Sequence, residues 1–140
     1  MNYKVVYFTR TETSKKVAEK IAKKLACEVI EITDNKNWKG VLGFIKGGYY
    51  ASTNKDVDIK IHGNLEGMDE LIVVTPLWAG GGAPAIRTFL KTTTLEKIHL
   101  VVTSKGSEIK NPSGYKSVTS IVRSKGNEET LINNLVSSLL

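Results

Sequence analysis

The chain alternates between two kinds of pattern. Short apolar runs rich in β-branched and aromatic residues recur at Tyr3–Phe8 (YKVVYF), Leu71–Thr75 (LIVVT) and Lys97–Thr103 (KIHLVVT). Runs of this kind read as strands buried on both faces. Glu28–Ile32 (EVIEI) and Ser117–Val122 add two more strand signals. Between the first two strands, Val17, Ile21 and Leu25 are spaced by four, with Ala18 and Ala22 beside them, and lysines take the other faces. That stripe predicts a helix from Ser14 to about Ala26, capped by Thr13 or Ser14, with Lys23 and Lys24 at its carboxyl end. Pro84 suits the first turn of a second helix, which carries Ala85, Ile86, Phe89 and Leu90, ends near Thr92 and leaves Arg87 on its solvent side. Asn127 caps a third, with Leu131, Ile132, Leu135, Val136 and Leu139 inward. Strands alternating with helices imply a parallel sheet covered on both faces.

Thr33–Glu70 is a long connection. Within it, Asn37–Ala51 has apolar residues at Trp38, Val41, Leu42, Phe44, Ile45 and Tyr49, but glycines at 40, 43, 47 and 48 weaken a helix there. Val57, Ile59 and Ile61 alternate with charged residues and are expected to be extended.

One domain over residues 1–140 is expected from the length. The chain is 41% hydrophobic, enough for a sizeable core. No apolar run reaches the roughly 20 residues of a membrane span. MNYKVVYFTR lacks a secretory layout, so a cytoplasmic protein is expected. The lone Cys27 excludes a disulfide framework and a cysteine-based zinc site. His62 and His99 have no partners at metal spacing, so no metal is expected and both read as packing or surface residues. The formal net charge is +6, and lysine supplies most of the 20 basic residues. That surplus suits an anionic ligand or partner. No helix-turn-helix, zinc finger or aromatic–basic platform accompanies it, so nucleic acid is not expected.

In parallel sheets ligands bind beyond the carboxyl ends of the strands. Three loops leave those ends: Thr9–Ser14, Pro76–Pro84 and Ser104–Lys116. The first runs straight from strand to helix and carries four hydroxyls, at Thr9, Thr11, Thr13 and Ser14. Hydroxyls beside the free amides of a helix N-terminus suit a phosphate. An N-capped turn is the plainer reading of the same residues. No Gly-x-x-x-x-Gly-Lys-Ser/Thr and no Gly-x-Gly-x-x-Gly follows the first strand. The second loop places Trp78 before three glycines, and an indole there either stacks on a flat ring or packs.

Tyr7–Leu25 (YFTRTETSKKVAEKIAKKL) resembles the phosphate loop and first helix of the flavodoxin family, whose pattern is roughly Ser/Thr-x-Thr-Gly-Asn-Thr. Thr9, Thr11 and Ser14 match it. Thr75–Leu90 (TPLWAGGGAPAIRTFL) resembles the family's flavin-ring loop and the helix after it, and Gly43–Ala51 (GFIKGGYYA) resembles a segment of small flavodoxin-like proteins. The similarity covers about residues 3–104. It implies an α/β flavodoxin-like three-layer αβα sandwich, with a five-stranded parallel sheet of order 2-1-3-4-5. It implies FMN as cofactor. Thr9, Arg10, Thr11, Glu12, Thr13 and Ser14 would hold the phosphate. Pro76, Leu77, Trp78, Ala79 and Gly80 would line the isoalloxazine, with Trp78 stacked on it and the carbonyl of Gly80 (or of Gly81) turned toward N5. Ser104, Lys105 and Gly106 would line the pyrimidine edge. Tyr49, Tyr50 and Tyr115 are expected to pack, or to border the ring.

The pattern is broken twice. The family's Gly-Asn is Glu12-Thr13 here. A carboxylate beside a phosphate is repulsive unless it turns to Arg10, Lys15 or Lys16, and a non-glycine resists positive φ, so weaker FMN binding than in the family is expected. Ser104–Lys116, with Pro112 and two glycines, is short for a helical crossover. The helix between strands four and five is expected to be short or missing, with strand five still parallel. The function implied is an FMN-binding one-electron carrier with no catalytic residues of its own. It would work as a monomer or weak dimer with a redox protein partner, an acidic one given the charge. Two alternatives are a small FMN-dependent NAD(P)H:quinone-type reductase and a flavodoxin-like interaction module that has lost flavin.

Overall fold

The structure, a computed structural model, describes residues 1–36, 45–46, 49–50, 56–109 and 113–140. The expectations for 37–44, for the glycines at 47 and 48, and for most of the GFIKGGYYA segment lie outside the described residues.

Among the described residues seven strands form, in chain order β1 Tyr3–Tyr7, β2 Glu28–Asp34, β3 Ile59–His62, β4 Glu70–Trp78, β5 Gly81–Gly82, β6 Ile98–Ser104 and β7 Ser117–Val122. Among the described residues the bounded helices are α1 Thr13–Leu25, α2 Pro84–Leu90 and α3 Glu128–Leu139, with 3₁₀ turns at Leu95–Lys97 and Arg123–Lys125, and residues 45–46 and 49–50 are also helical. The sheet runs β3-β2-β1-β4-β6-β7. Its neighbours β2·β1, β1·β4, β4·β6 and β6·β7 are parallel. These five strands therefore lie in the order second, first, third, fourth, fifth. The chain winds one way from β1 to β2, then reverses to place β4 on the other side of β1.

Two strands go beyond the expected five. Ile59–His62 pairs antiparallel with β2, Ile32 opposite Ile61. Its alternation showed extended chain but could not show a partner. The residues after Thr75 are not an open loop: β4 continues through Pro76 to Trp78 and folds back on β5.

Side-chain alternation assigns each strand to two layers. Val5, Tyr7, Ile72, Val74, Val101 and Ile121 pack with Val17, Ile21, Ile132 and Val136 of α1 and α3. Val6, Phe8, Leu71, Val73, Leu100 and Val102 face the other way, onto Ala85, Ile86 and Phe89 of α2. Each fully buried side chain of this kind contributes roughly 1.5–3 kcal/mol. Among the described residues no helix joins β6 to β7. Ile109 and Tyr115, from that connection, pack against the α2-side core instead. Lys116 N–H donates to Ile98 O at 2.9 Å and leads the chain into β7.

The helix ends depart from expectation. Neither Thr13 nor Ser14 caps α1. Its N-cap is Glu12, left-handed at φ 71°, and makes no side-chain capping bond. The Ser14 hydroxyl is instead buried and 3.0 Å from Thr103 Oγ1. Asn127 is the N-cap residue of α3 as expected, but its side chain makes no capping bond; its Oδ1 accepts from Val122 N–H at 3.0 Å.

One polar row crosses the feet of the strands. Glu70 Oε1 accepts from His99 Nε2 at 2.8 Å, and His99 Nδ1 is 2.7 Å from Ser117 Oγ. Lys116 Nζ is 3.6 Å from the other Glu70 oxygen. The Tyr3 ring meets His99 edge-on at 6.3 Å, and the Tyr3 hydroxyl donates to Leu139 O at 3.3 Å. A Ser–His–Glu relay invites comparison with a nucleophilic triad. Here, however, it lies under the carboxyl end of α3, whose negative dipole end opposes an oxyanion. Its role is to satisfy groups buried across β4, β6 and β7. The hydrogen bond from His99 holds the Glu70 carboxyl below its ordinary value, against the upward push of burial, with His99 and Lys116 adding charge attraction.

A carboxyl whose pKa is depressed on folding stabilises above its unfolded pKa, and that contribution fades as pH falls through the folded one. Urea midpoints should therefore drop as pH is lowered below about 4.5. Glu70→Ala should cost about 3 kcal/mol at pH 7 and should flatten that acid dependence. Both follow from denaturation curves of the two proteins across pH 3–7.

Candidate functional site

The winding reverses between β1 and β4, which is where sheets of this kind open a crevice, and the three ligand-candidate loops leave the carboxyl ends of β1, β4 and β6, neighbouring strands of one sheet. Phe8 N–H donates to Val74 O at 3.1 Å, so β1 stays zipped to β4 until the loop begins. Thr9 comes next. Its Oγ1 is shielded from solvent and has no hydrogen-bond partner among the described residues. A buried hydroxyl without a partner costs about 1–3 kcal/mol, which points to a missing acceptor or donor at this spot.

Arg10 is half-buried, and Thr11 and Glu12 are exposed. Glu12 turns the chain into α1 through its left-handed conformation, and its carbonyl accepts from Lys16 N–H at 3.0 Å. With no side-chain cap, the amides of Thr13, Ser14 and Lys15 have no intrahelical acceptor. They add partial positive charge beside Thr9. The Glu12 carboxylate lies 3.7 Å from Lys15 Nζ, both exposed. This is one of the three partners named for it above, and the pairing keeps a negative charge from standing alone beside the amides. Of the expected phosphate residues, Thr9 has a buried hydroxyl without a partner among the described residues, Thr13 and Ser14 lie in the uncapped first turn of α1, and the Ser14 side chain is committed to Thr103.

The second loop is a hairpin. Leu77 pairs with Gly82 and Trp78 with Gly81, leaving a two-residue turn at Ala79 (φ 50°) and Gly80 (φ 81°). Two positive φ values define the type I′ turn that matches strand twist. Thr75 Oγ1 ties the base, donating to Pro76 O and accepting from Ala83 N–H, each at 3.0 Å. Trp78 is half-buried and meets Phe8 edge-to-face, centroids 5.9 Å apart and planes at 87°.

Arg87 does not lie on the solvent side of α2. Its Nε donates to Gly82 O at 2.6 Å and its Nη2 to Trp78 O at 2.9 Å. This also gives Gly81 a reason. A methyl group there would stand 2.5 Å from Arg87 Nη2. The glycine run thus makes room for a guanidinium as well as for a turn. Helical spacing alone put Arg87 outside. The signal that could have found it is the residue type, a forked donor in a lysine-dominated chain, one turn after a glycine run. Burial lowers the Arg87 pKa and raises that of Tyr115, and each ring or charge opposes the other's shift, so Tyr115 of the β6–β7 connection is its electrostatic neighbour.

The third loop is pinned but open. Ser104 Oγ accepts from Ser107 N–H at 3.2 Å and donates to Ser107 O. Lys105 O accepts from Ser124 N–H at 2.9 Å, while the Lys105 side chain and Gly106 are exposed. Tyr50 packs on the α2-side core, with Lys36 Nζ 5.6 Å from its ring centre, and Tyr49 is exposed.

No protein-family model matches the chain, and no curated protein matches it. Solved structures do. A candidate flavoprotein from Bacteroides eggerthii DSM 20697 superposes with a TM-score of 0.74 at 18% identity, over 98% of this chain and 96% of its own. Another from Bacteroides uniformis ATCC 8492 gives 0.72 at 20% identity, over 96% and 97%. The flavoprotein of Lactobacillus acidophilus NCFM, solved in complex with FMN, gives 0.65 at 19% identity, over 93% and 97%.

Glu12 and Ala26 both hold positive φ without being glycine. Left-handed backbone costs an L-residue about 1–2 kcal/mol, partly offset by glycine's larger unfolded entropy. Glu12→Gly and Ala26→Gly should each raise stability by about 0.5 kcal/mol, read as higher urea midpoints of the unliganded protein.

Proposed function

We propose that this chain binds FMN in the crevice between β1 and β4 and works as a small electron-transfer flavoprotein. The fold is flavodoxin-like, shared over nearly the whole length with solved flavoproteins. At such identities that likeness speaks for the fold. The ligand is argued from the residues.

The observation that carries the proposal is Thr9 Oγ1, buried and without a partner among the described residues, in the loop that leads into the uncapped amides of Thr13–Lys15. A phosphate oxygen is the acceptor this donor set fits. Hydrogen bonds to a charged group are worth about 1.5–3 kcal/mol, against a hydroxyl that otherwise only destabilises. Trp78 and the Ala79–Gly80 turn stand one strand away, so phosphate and aromatic ring are recognised by neighbouring loops. When bound, FMN supplies the electron chemistry. The chain's residues bind it, orient its ring and set its surroundings. Ser104, Lys105 and Gly106 extend the ring's border on the far side.

The carrier role is the finer part of the proposal. The ring-side residues Trp78, Ala79, Lys105 and Gly106 are half-buried or exposed, which suits contact with a partner protein. Lys15, Lys16, Lys105, Arg123 and Lys125 all sit at the same end of the sheet, so the partner we propose is acidic.

Titration of unliganded protein with FMN and riboflavin tests the binding. Thr9→Val keeps shape and removes the hydroxyl. It should weaken FMN by about 10–100-fold and leave riboflavin unchanged. Trp78→Ala should weaken both by about 1 kcal/mol or more. A wild-type protein that ignores FMN at high micromolar concentration would refute the proposal. Absence of steady-state turnover with NAD(P)H and a quinone, alongside rapid salt-sensitive electron exchange with an acidic redox protein, would mark a carrier rather than a reductase.

A further inference from the structure

Arg87 stands where three segments meet. It is carried by α2, a helix anchored by buried Ile86 and Phe89. Its two donating nitrogens diverge onto Gly82 O (2.6 Å) and Trp78 O (2.9 Å), which belong to the two opposite strands of the β4–β5 hairpin. The guanidinium lies close to Gly81, where even a methyl group would be 2.5 Å from Nη2 and 3.0 Å from Cζ. Arg87 therefore spans the hairpin that carries Trp78.

That hairpin needs an outside hold. It has a two-residue turn and two bridging pairs, and isolated hairpins are marginal in water. One turn residue, Ala79, holds φ 50° at the expense of strain. The alternative turn reached by rotating the 79–80 peptide would place Ala79 in a region open essentially to glycine alone. Ala79 thus restricts the turn to one form, and Arg87 fixes where that form sits relative to the sheet.

We propose that Arg87 is a positioning residue for the flavin ring: by clamping the Trp78 and Gly82 carbonyls it presets the indole and the Ala79–Gly80 turn before the ligand arrives. The inference rests on the FMN reading for its ligand, but the clamp itself is a property of the unliganded chain. A guanidinium fits because its donors are rigid and divergent, whereas a lysine ammonium on a flexible stem is a point charge and cannot hold both carbonyls in one geometry. Pre-ordering a binding loop strengthens affinity by removing the ordering loss at the moment of binding.

Arg87→Lys keeps the charge and loses the fork; Arg87→Gln is the second variant, should either fold poorly. In unliganded protein, amide hydrogen exchange of residues 78–82 should speed up about tenfold or more in Arg87→Lys, while the amides of β1 and β6 keep wild-type protection. FMN and riboflavin should both weaken, by the same factor of about ten. That pattern is unlike Thr9→Val, which acts on FMN alone. At saturating FMN the visible circular dichroism of the bound flavin should change, because the ring meets a displaced indole; a purely structural role for Arg87 would leave that spectrum as in wild type. Unchanged exchange at 78–82 in both variants would overturn the clamp. Faster exchange with unchanged affinities and spectrum would overturn the role toward the ring. If wild type binds no flavin, the FMN reading fails, and the exchange measurement still decides the clamp.

Discussion

A parallel strand cannot be joined to its neighbour by a tight turn, and it is apolar on both faces. From that constraint most of the molecule follows. β1, β4 and β6 each alternate between a face that meets α1 and α3 and a face that meets α2. Each connection must climb back over the sheet, so the carboxyl ends of all five parallel strands open on the same side. The reversal between β1 and β4 then separates two loops that would otherwise lie against one another. The crevice is a product of chain winding, and the residues that line it are free to be chosen for chemistry.

The chemistry is divided between backbone and side chains. At α1 the helix start supplies amides, and Thr9 supplies a hydroxyl that no other described residue uses. At the hairpin, backbone shape is set by positive φ at Ala79 and Gly80 and held by Thr75 below and Arg87 beside. Three consecutive glycines look alike in a sequence but serve different ends. Gly80 provides a left-handed turn. Gly81 clears the Arg87 guanidinium, and Gly82 sits 3.4 Å from Ile86 and Thr75 methyl groups at the position of its missing side chain.

Much of this was legible in the sequence because it rests on local pattern. The five strands and the helices α1, α2 and α3 follow from apolar periodicity, whereas the parallel direction of β7, with no helix before it among the described residues, is fixed only by its register with β6. What periodicity could not give is pairing across distance. Ile59–His62 read as extended chain with no partner, and Ser14 read as a cap when its hydroxyl belongs to Thr103, far along the sequence. Arg87 was misplaced for the same reason: helical spacing names a face, not what another loop brings to that face. His99 read as a packing or surface residue until the register of β4, β6 and β7 put it in one row with Glu70 and Ser117. Glu12 shows the limit of residue preference, since a glutamate occupies the left-handed position that glycine would fill more easily.

The connection from β6 to β7 has a further electrical meaning. A helix there would have directed its amino terminus, and the fixed partial charge of its peptide dipoles, toward the same end of the sheet as the crevice. Among the described residues the chain offers a loop instead, with Ile109 and Tyr115 plugging the layer and Lys105, Arg123 and Lys125 as the positive groups nearby. Charge built into peptide bonds is rigid and inherited by every homologous sequence that keeps the helix. Charge carried on hydrated side chains is adjustable: dissolved ions screen it, and a single codon change can remove or reverse it. This flank of the molecule has exchanged a permanent field for a tunable one.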